Sequence, residues 1–187
     1  MIKDFLRNVL YVLRIDKIFK AFPQIVTEVY LKRIERNYGI KINFVNQGDG
    51  GITIGGDISK FKIDPTSHLK SNTFIECTGG VEIGKYFHTG RGLTIFSTNH
   101  NYDSNIAIPY DNTNILKQVI IGDFVWCGAN VTIMPGVSIG EGVVVGGGSV
   151  VTRDIPSFAV IGGNPAIILK YRDIEVFKKL KFQGKFF

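Results

Sequence analysis

Ile121-Gly122-Asp123-Phe124-Val125-Trp126, Cys127-Gly128-Ala129-Asn130-Val131-Thr132, Ile133-Met134-Pro135-Gly136-Val137-Ser138, Ile139-Gly140-Glu141-Gly142-Val143-Val144, Val145-Gly146-Gly147-Gly148-Ser149-Val150: written in sixes, the stretch 121–150 repeats itself. An aliphatic residue, once Cys127, opens each unit. A small residue usually follows, and Val or Ser stands fifth. A six-residue period fits neither an α-helix nor a plain alternating strand. It marks a β-solenoid, whose units bury their faces only by stacking on neighbours. A sandwich has irregular turns between its strands in place of fixed sixes.

The same phase continues upstream. Ile63, Leu69 and Ile75 open three units; after a two-residue slip at Gly79-Gly80, Ile83, Thr89 and Ile95 open three more. Ile52 to Asp57 reads as an earlier, weaker unit. From Ile95 to Ile121 the spacing is 26, which is not a multiple of six. A segment therefore leaves the coil between about residues 100 and 118, and a loop that long in a compact domain is usually functional or disordered. The first residue of each unit points inward, so Ile, Leu and Val stack on their own kind in the next coil. Corners need small residues and often a positive φ, which accounts for many of the 22 glycines.

The 187 residues suit one all-β domain with small appendages. Residues 1–40 lack glycine until Gly39 and carry apolar residues at helical spacing (Phe5, Leu6, Val9, Leu10, Val12, Leu13; then Val26, Val29, Tyr30, Ile34), with Pro23 dividing two helices. Two roles fit this segment. One is a cap over the open end of the solenoid. The other is a basic amphipathic helix, bearing Lys3, Arg7, Arg14, Lys17 and Lys20, lying on the inner leaflet of a membrane. Residues 41–170 hold the solenoid, and 171–187 form a basic, aromatic tail that reads as a short helix on the solenoid or an interface strap.

The net charge is +6. Its basic residues are not interleaved with aromatics in a nucleic-acid motif, so the charge points to small-molecule phosphates or an anionic membrane surface. Cys77 and Cys127 both lie inside units, which fits a reducing, cytoplasmic location and no disulfide framework. Charges interrupt the first 30 residues too often for a secretory signal. No apolar run is long enough to span a bilayer.

The runs Ile121 to Gly128, Ile133 to Gly140, Val150-Val151-Thr152-Arg153-Asp154-Ile155-Pro156 and Val160-Ile161-Gly162-Gly163-Asn164-Pro165-Ala166 resemble the hexapeptide-repeat acyltransferases. Within that family the chain looks like the sugar O-acetyltransferases, both the galactoside and maltose enzymes and those of colanic acid and capsule. The resemblance covers about residues 52–170. It implies a left-handed parallel β-helix, a homotrimer, acetyl-CoA as co-substrate in a groove between subunits, and a His as general base. That base is His100, in Ser97-Thr98-Asn99-His100-Asn101-Tyr102-Asp103 where the chain leaves the coil; Asp103 is a candidate to orient it. An imidazole titrating near 6.5 can take a sugar hydroxyl's proton during attack on a thioester.

For acetyl-CoA, the resemblance implies Trp126 lining the groove, Ala129 near the thioester arm, Gly147 as a backbone contact in the coil below, Thr152 and Arg153 at the family's Thr-Lys pair with Arg153 offering a fork to phosphate, and Lys170 at the nucleotide phosphates. A second basic position of the family is Ile167 here. On the acceptor side Lys70, with Asn72, stands where the galactoside enzymes place an Asn, and Thr78 where they place an Asp. Lys70 suits an anionic saccharide or one linked to a nucleotide or lipid. The loop with Tyr102 and Tyr110 shapes that pocket. No metal is expected: the γ-class carbonic anhydrases share the fold and use three His, but His68 and His88 fall at corner positions facing solvent. The rival readings are N-acetylation of an amino sugar or a xenobiotic of the chloramphenicol type, and a non-catalytic scaffold.

Overall fold

A computed structural model describes residues 2–187, with all their side chains except those of residues 16 and 18–20; the side chain of Lys20 thus lies outside the described residues. The hexads become short parallel strands joined by tight corners. Among the described residues they stack into three sheets of seven, five and four strands. A complete circuit of the coil contributes one strand to each face, as in Trp126–Cys127, Thr132–Ile133 and Ser138–Ile139. The seven-stranded first face ends on an antiparallel pair, Ala159–Gly163 with Ala166–Tyr171.

Three inward columns fill the core. On the third face Ile63, Ile83, Ile121, Ile139 and Ile155 stand in register. On the second, Ile54, Ile75, Ile95, Ile133 and Val151 do so. On the first, Thr89, Cys127, Val145 and Ile161 align. Apart from Ile63, which is half-buried at the edge, all of these side chains are buried. The fifth position of the hexad points inward as well: Val125, Val131, Val137 and Val143 are buried beneath the corners.

The two-residue slip at Gly79-Gly80 has a local cause. A Cβ on Gly79 would lie 2.0 Å from the carbonyl oxygen of Ser97, and Gly80 has φ +99°. The backbone of one coil there lies directly against the place where the next coil opens into its hairpin, so a side chain has no room.

Helices α1 (Ile2–Val12) and α2 (Ile15–Tyr38) precede the coil. The break falls at Leu13–Arg14, where Arg14 takes φ 53°, and not at Pro23, which lies within α2. A proline deletes one donor from a 24-residue helix, whereas a left-handed residue redirects the chain. The C-terminal half of α2 closes the open end of the solenoid. Leu31 and Ile34 are buried there. The Tyr30 hydroxyl donates to the Ile54 carbonyl at 2.7 Å and accepts the Ile54 N–H at 3.1 Å. α1 buries no side chain. At the other end α3 (Ile174–Phe182) is capped by Asp173, whose carboxylate accepts the Val176 N–H at 2.9 Å. It inserts Phe177 between Phe124 and Phe158, in the space left by Gly142.

Neighbouring residues on one strand test the columns. Ile54→Ala is expected to cost about 2–5 kcal/mol, since Ile54 is 4% exposed within its column. Thr53→Ala, on the outward face of the same strand, is expected to stay within about 0.5 kcal/mol. Urea unfolding of both variants checks the contrast.

Candidate active site

The 26-residue interval becomes a two-stranded arm. Strand Thr98–His100 pairs antiparallel with Asn114–Leu116, His100 opposite Asn114. The arm leaves the corner between the second and third faces and returns to it. Glu76, one coil earlier, holds its base. One carboxylate oxygen accepts the Thr98 hydroxyl at 2.8 Å and the Ser97 hydroxyl at 3.2 Å; the other accepts the Thr78 N–H at 2.9 Å. Burial pushes this carboxyl upward, but the hydrogen bonds from Thr78, Thr98 and Ser97 outweigh it and hold the group below the usual carboxylate range. The arm's distal turn is organised by Asp111, which accepts the Thr113 N–H at 2.7 Å and the Asn101 side-chain amide at 2.8 Å. Chiefly through the Thr113 N–H, its carboxyl is lowered to about 2.

His100 is exposed at this arm, and the Tyr110 ring lies flat against its imidazole, with centroids 4.0 Å apart and planes within 9°. Among the described residues no hydrogen bond joins Asp103 to the imidazole. The aromatic stack, which no spacing in the sequence announces, is what lies against it. His100 also lines a cleft of about 340 Å³ with Glu76, Phe96, Asn114, Met134 and Pro135. Thr152 and Arg153 are exposed at the same corner, two coils beyond the root of the arm, about 10 Å from that root at the usual strand spacing. Tyr102 projects from the arm and is 64% exposed.

The remaining residues gather elsewhere. On the first face one outward column runs Asn43, His68, His88, Trp126, Val144, Val160, Lys170. Trp126 is 55% exposed. Three rungs separate it from Lys170, about 14 Å. Ala129 and Gly147 stack at the corner between the first and second faces: the Ala129 carbonyl accepts the Gly148 N–H at 2.8 Å, and a Cβ on Gly147 would lie 3.2 Å from that carbonyl oxygen. Lys70 lies half-buried on the first face, and Asn72, with φ 62°, turns that same corner over Gly50.

His68 and His88 stand on the first face itself, half-buried, and not at solvent-facing corners. Their rings are 4.2 Å apart. Each is the sixth residue of its hexad, like Trp126, and that shared phase is the signal that places all three in one column. The C-terminal tail folds back over them. Phe186 lies 4.7 Å from the Tyr86 ring and Phe187 6.0 Å from His88, around a cavity of about 250 Å³ beside Trp126.

The residues singled out in the sequence thus gather in two groups at different edges of the triangular section. One carries His100, Tyr102, Thr152 and Arg153. The other carries Trp126, Ala129, Gly147, Lys170, Lys70 and Asn72. The second suits a thioester ligand with a long apolar arm and an anionic nucleotide end: an indole is followed along one column by an ammonium group. The first presents an exposed imidazole.

Burial, then the neighbouring His88 and Lys70, hold the His68 imidazole down at about 4 against an ordinary 6.5. The native state therefore stays unprotonated there until about pH 4, while the unfolded chain takes up a proton near 6.5. Stability from this group is complete above pH 6.5 and is lost as pH falls toward 4. His68→Gln is expected to lose less melting temperature than the parent between pH 7 and pH 4.5, in thermal melts followed by circular dichroism.

Comparison with known proteins agrees with this architecture. Residues 118–153 match the bacterial transferase hexapeptide (six repeats) family. WbbJ of Escherichia coli K12, assigned to lipopolysaccharide biosynthesis as an O-acetyl transferase, is 45% identical over an alignment covering 80% of this chain and 88% of WbbJ. A maltose O-acetyltransferase from Clostridium difficile 630 superposes with TM-score 0.66 at 25% identity, over 82% of this chain and 86% of that one. A hexapeptide-repeat acetyltransferase of Vibrio cholerae O1 biovar eltor, solved in complex with acetyl-CoA, does so with TM-score 0.60 at 26% identity, over 74% and 73%.

Proposed function

The chain belongs to the hexapeptide-repeat acetyltransferases, and from that premise we propose that it moves an acetyl group from acetyl-CoA to a saccharide hydroxyl in surface-polysaccharide synthesis, with His100 as the base. The observation that carries this reading is the exposed imidazole, held flat by Tyr110 on an arm that interrupts the coil beside an open cleft. The coil is read as left-handed, the hand the resemblance implies.

In this reading a sugar hydroxyl, too weakly acidic to ionise near neutral pH, is held against the imidazole. His100 removes its proton as the oxygen bonds to the acetyl carbonyl carbon, and returns that proton to the departing sulfur. An ester and free CoA thiol result, and the imidazole is neutral again. Cys127 is not an acyl carrier: it is buried in the first column, and burial pushes its thiol up to about 12. Arg153 and Lys170 meet the phosphates, Arg153 with a planar fork that suits them. Trp126 walls the apolar arm, and Ala129 with its small side chain and Gly147 with none let the backbone come close to it.

The split between the two edges explains the homotrimer in this proposal. The base corner of one subunit faces the Trp126 face of the next, so each site takes residues from two chains. Lys70 and Asn72 then meet the acceptor from one side and Tyr102 from the other. A half-buried ammonium at Lys70 favours an anionic or carrier-linked sugar over a neutral galactoside.

His100→Ala is expected to lower kcat by about 10²- to 10⁴-fold with acetyl-CoA affinity, read by calorimetry, unchanged. A loss of less than about tenfold removes His100 as base. Mixed oligomers test the shared site. Trp126→Ala is expected to be inactive because its groove wall is gone. Co-assembled with His100→Ala chains, it should rebuild about a quarter of the sites with both residues intact, since each site draws on two subunits. No regained turnover in the mixture places both residues in one chain's site and overturns the shared arrangement.

A further inference from the structure

The charge of this chain sits at its ends. Residues 2–38 hold eight basic and four acidic residues, net +4, whereas residues 39–170 hold nine basic and ten acidic, net −1. The N-terminal segment is also where apolar side chains lie open. In α1 the residues Ile2, Phe5, Leu6, Val9, Leu10 and Val12 fall within one arc of about 160° on a helical projection. Ile2, Phe5 and Val12 are 76%, 68% and 75% exposed. Lys3 and Arg7 border that arc on one flank. Asp4, the helix's acidic residue, lies beyond them and pairs with Arg7 at 3.2 Å.

α2 carries two stripes. Thr27, Leu31 and Ile34 face the solenoid and are buried. On the other side Phe22, Ile25, Val26 and Val29, at the i, i+3, i+4, i+7 spacing of one helix face, are between 47% and 60% exposed. That outer stripe continues into Arg33 and Arg36, both exposed. Two separate helices thus present apolar stripes bordered or extended by cations, while the capping work is done by the opposite side of α2. An isolated helix of eleven residues is marginal in water, and α1's own chain does not cover its apolar arc.

We propose that this N-terminal pair of helices is a docking surface for an anionic lipid bilayer. The apolar arc of α1 and the outer stripe of α2 enter the boundary between headgroups and acyl chains. Lys3, Arg7, Arg14, Lys17, Arg33 and Arg36 meet lipid phosphates, the long basic stems lying along the apolar surface with their charges outward. The segment lies on the membrane and does not cross it. Eleven residues of helix rise about 16 Å, half a hydrocarbon core, and among the described residues no helix is long and apolar enough to span. A second copy is the poorer occupant because it brings another segment of net +4 against the first, whereas a negative surface neutralises it. The inference does not depend on the acetyl-transfer reading. It adds that catalysis takes place beside a membrane, where a lipid-carried saccharide is presented.

The experiment is sedimentation of the full chain with vesicles of phosphatidylcholine alone or mixed with phosphatidylglycerol, at about 0.1 M and about 0.5 M salt. Binding is expected to the phosphatidylglycerol vesicles at low salt, reduced severalfold at high salt and weak on phosphatidylcholine. Phe5→Asp with Leu6→Asp should lower the partition at least about tenfold, and Lys3→Glu with Arg14→Glu should abolish the preference for anionic lipid. The melting temperature and acetyl-CoA affinity of both variants should match the parent, which separates lost docking from lost folding or a failed catalytic assignment. Three outcomes overturn the proposal. One is no pelleting at low salt. Another is pelleting unchanged by Phe5→Asp with Leu6→Asp. The third is a higher solution mass without vesicles that this double variant abolishes, because a second copy then covers the face.

Discussion

Three columns of buried side chains, each kept in register from coil to coil, are the constraint on which the rest of this structure rests. A strand of two residues has almost no stability of its own. It persists here because its inward residue is clasped between the equivalent residues of the coils before and after, as Ile133 is between Ile95 and Val151. The backbone N–H and C=O groups of each strand find partners in the same two coils. Burial and hydrogen bonding therefore share one geometric demand: successive coils must repeat with a fixed step. The six-residue period is that demand written into the chain.

A structure built by translation has two weak points, its ends and its interruptions, and both carry the chain's distinctive features. The first open end is closed by the inner stripe of α2, with the Tyr30 hydroxyl bonded to both polar groups of Ile54. Near the last coils Phe177 of α3 occupies the gap over Gly142. The interruption is the arm from Thr98 to Leu116. Because the columns continue past it, Ile95 to Ile133 and Ile83 to Ile121, the coil tolerates a long excursion from a corner without losing register. Glu76 ties the excursion's base to the coil beneath, which lets an otherwise solvent-exposed arm hold His100 in place.

Outward positions are free of the packing constraint, and chemistry is distributed among them. The column His68, His88, Trp126 shows how: the sixth residue of each hexad faces out beside the inward residue that follows, so neighbouring coils can bring two imidazoles together and align an indole with them without disturbing the core. Burial on this face, with His88 and Lys70 nearby, depresses the His68 imidazole. The triangular section also sets a limit. Residues at different edges of one prism cannot converge, so His100 and Trp126 are separated by the fold that presents each of them.

The sequence by itself determined the coil, its inward columns, the place where the coil is broken and the histidine at that break. The coil, its columns and its break follow from a period that can be counted along the chain, which needs no knowledge of distant contacts; the histidine at the break was singled out by the family resemblance. It also marked the first residues as helical, because apolar spacing is local. Tertiary structure decided the rest. The turn between the helices falls at Arg14 and not at Pro23, since a single missing donor is tolerated where the helix is otherwise intact. The partner of the His100 ring is Tyr110 and not Asp103, since the fold of the arm brings a residue ten positions away against the imidazole. His68 and His88 lie on a face and not at corners, and Glu76 reaches across 22 positions to Thr98. Periodicity states which residues point in and which point out. It does not state which outward residues meet, because that depends on the path of the corners and the arm through space.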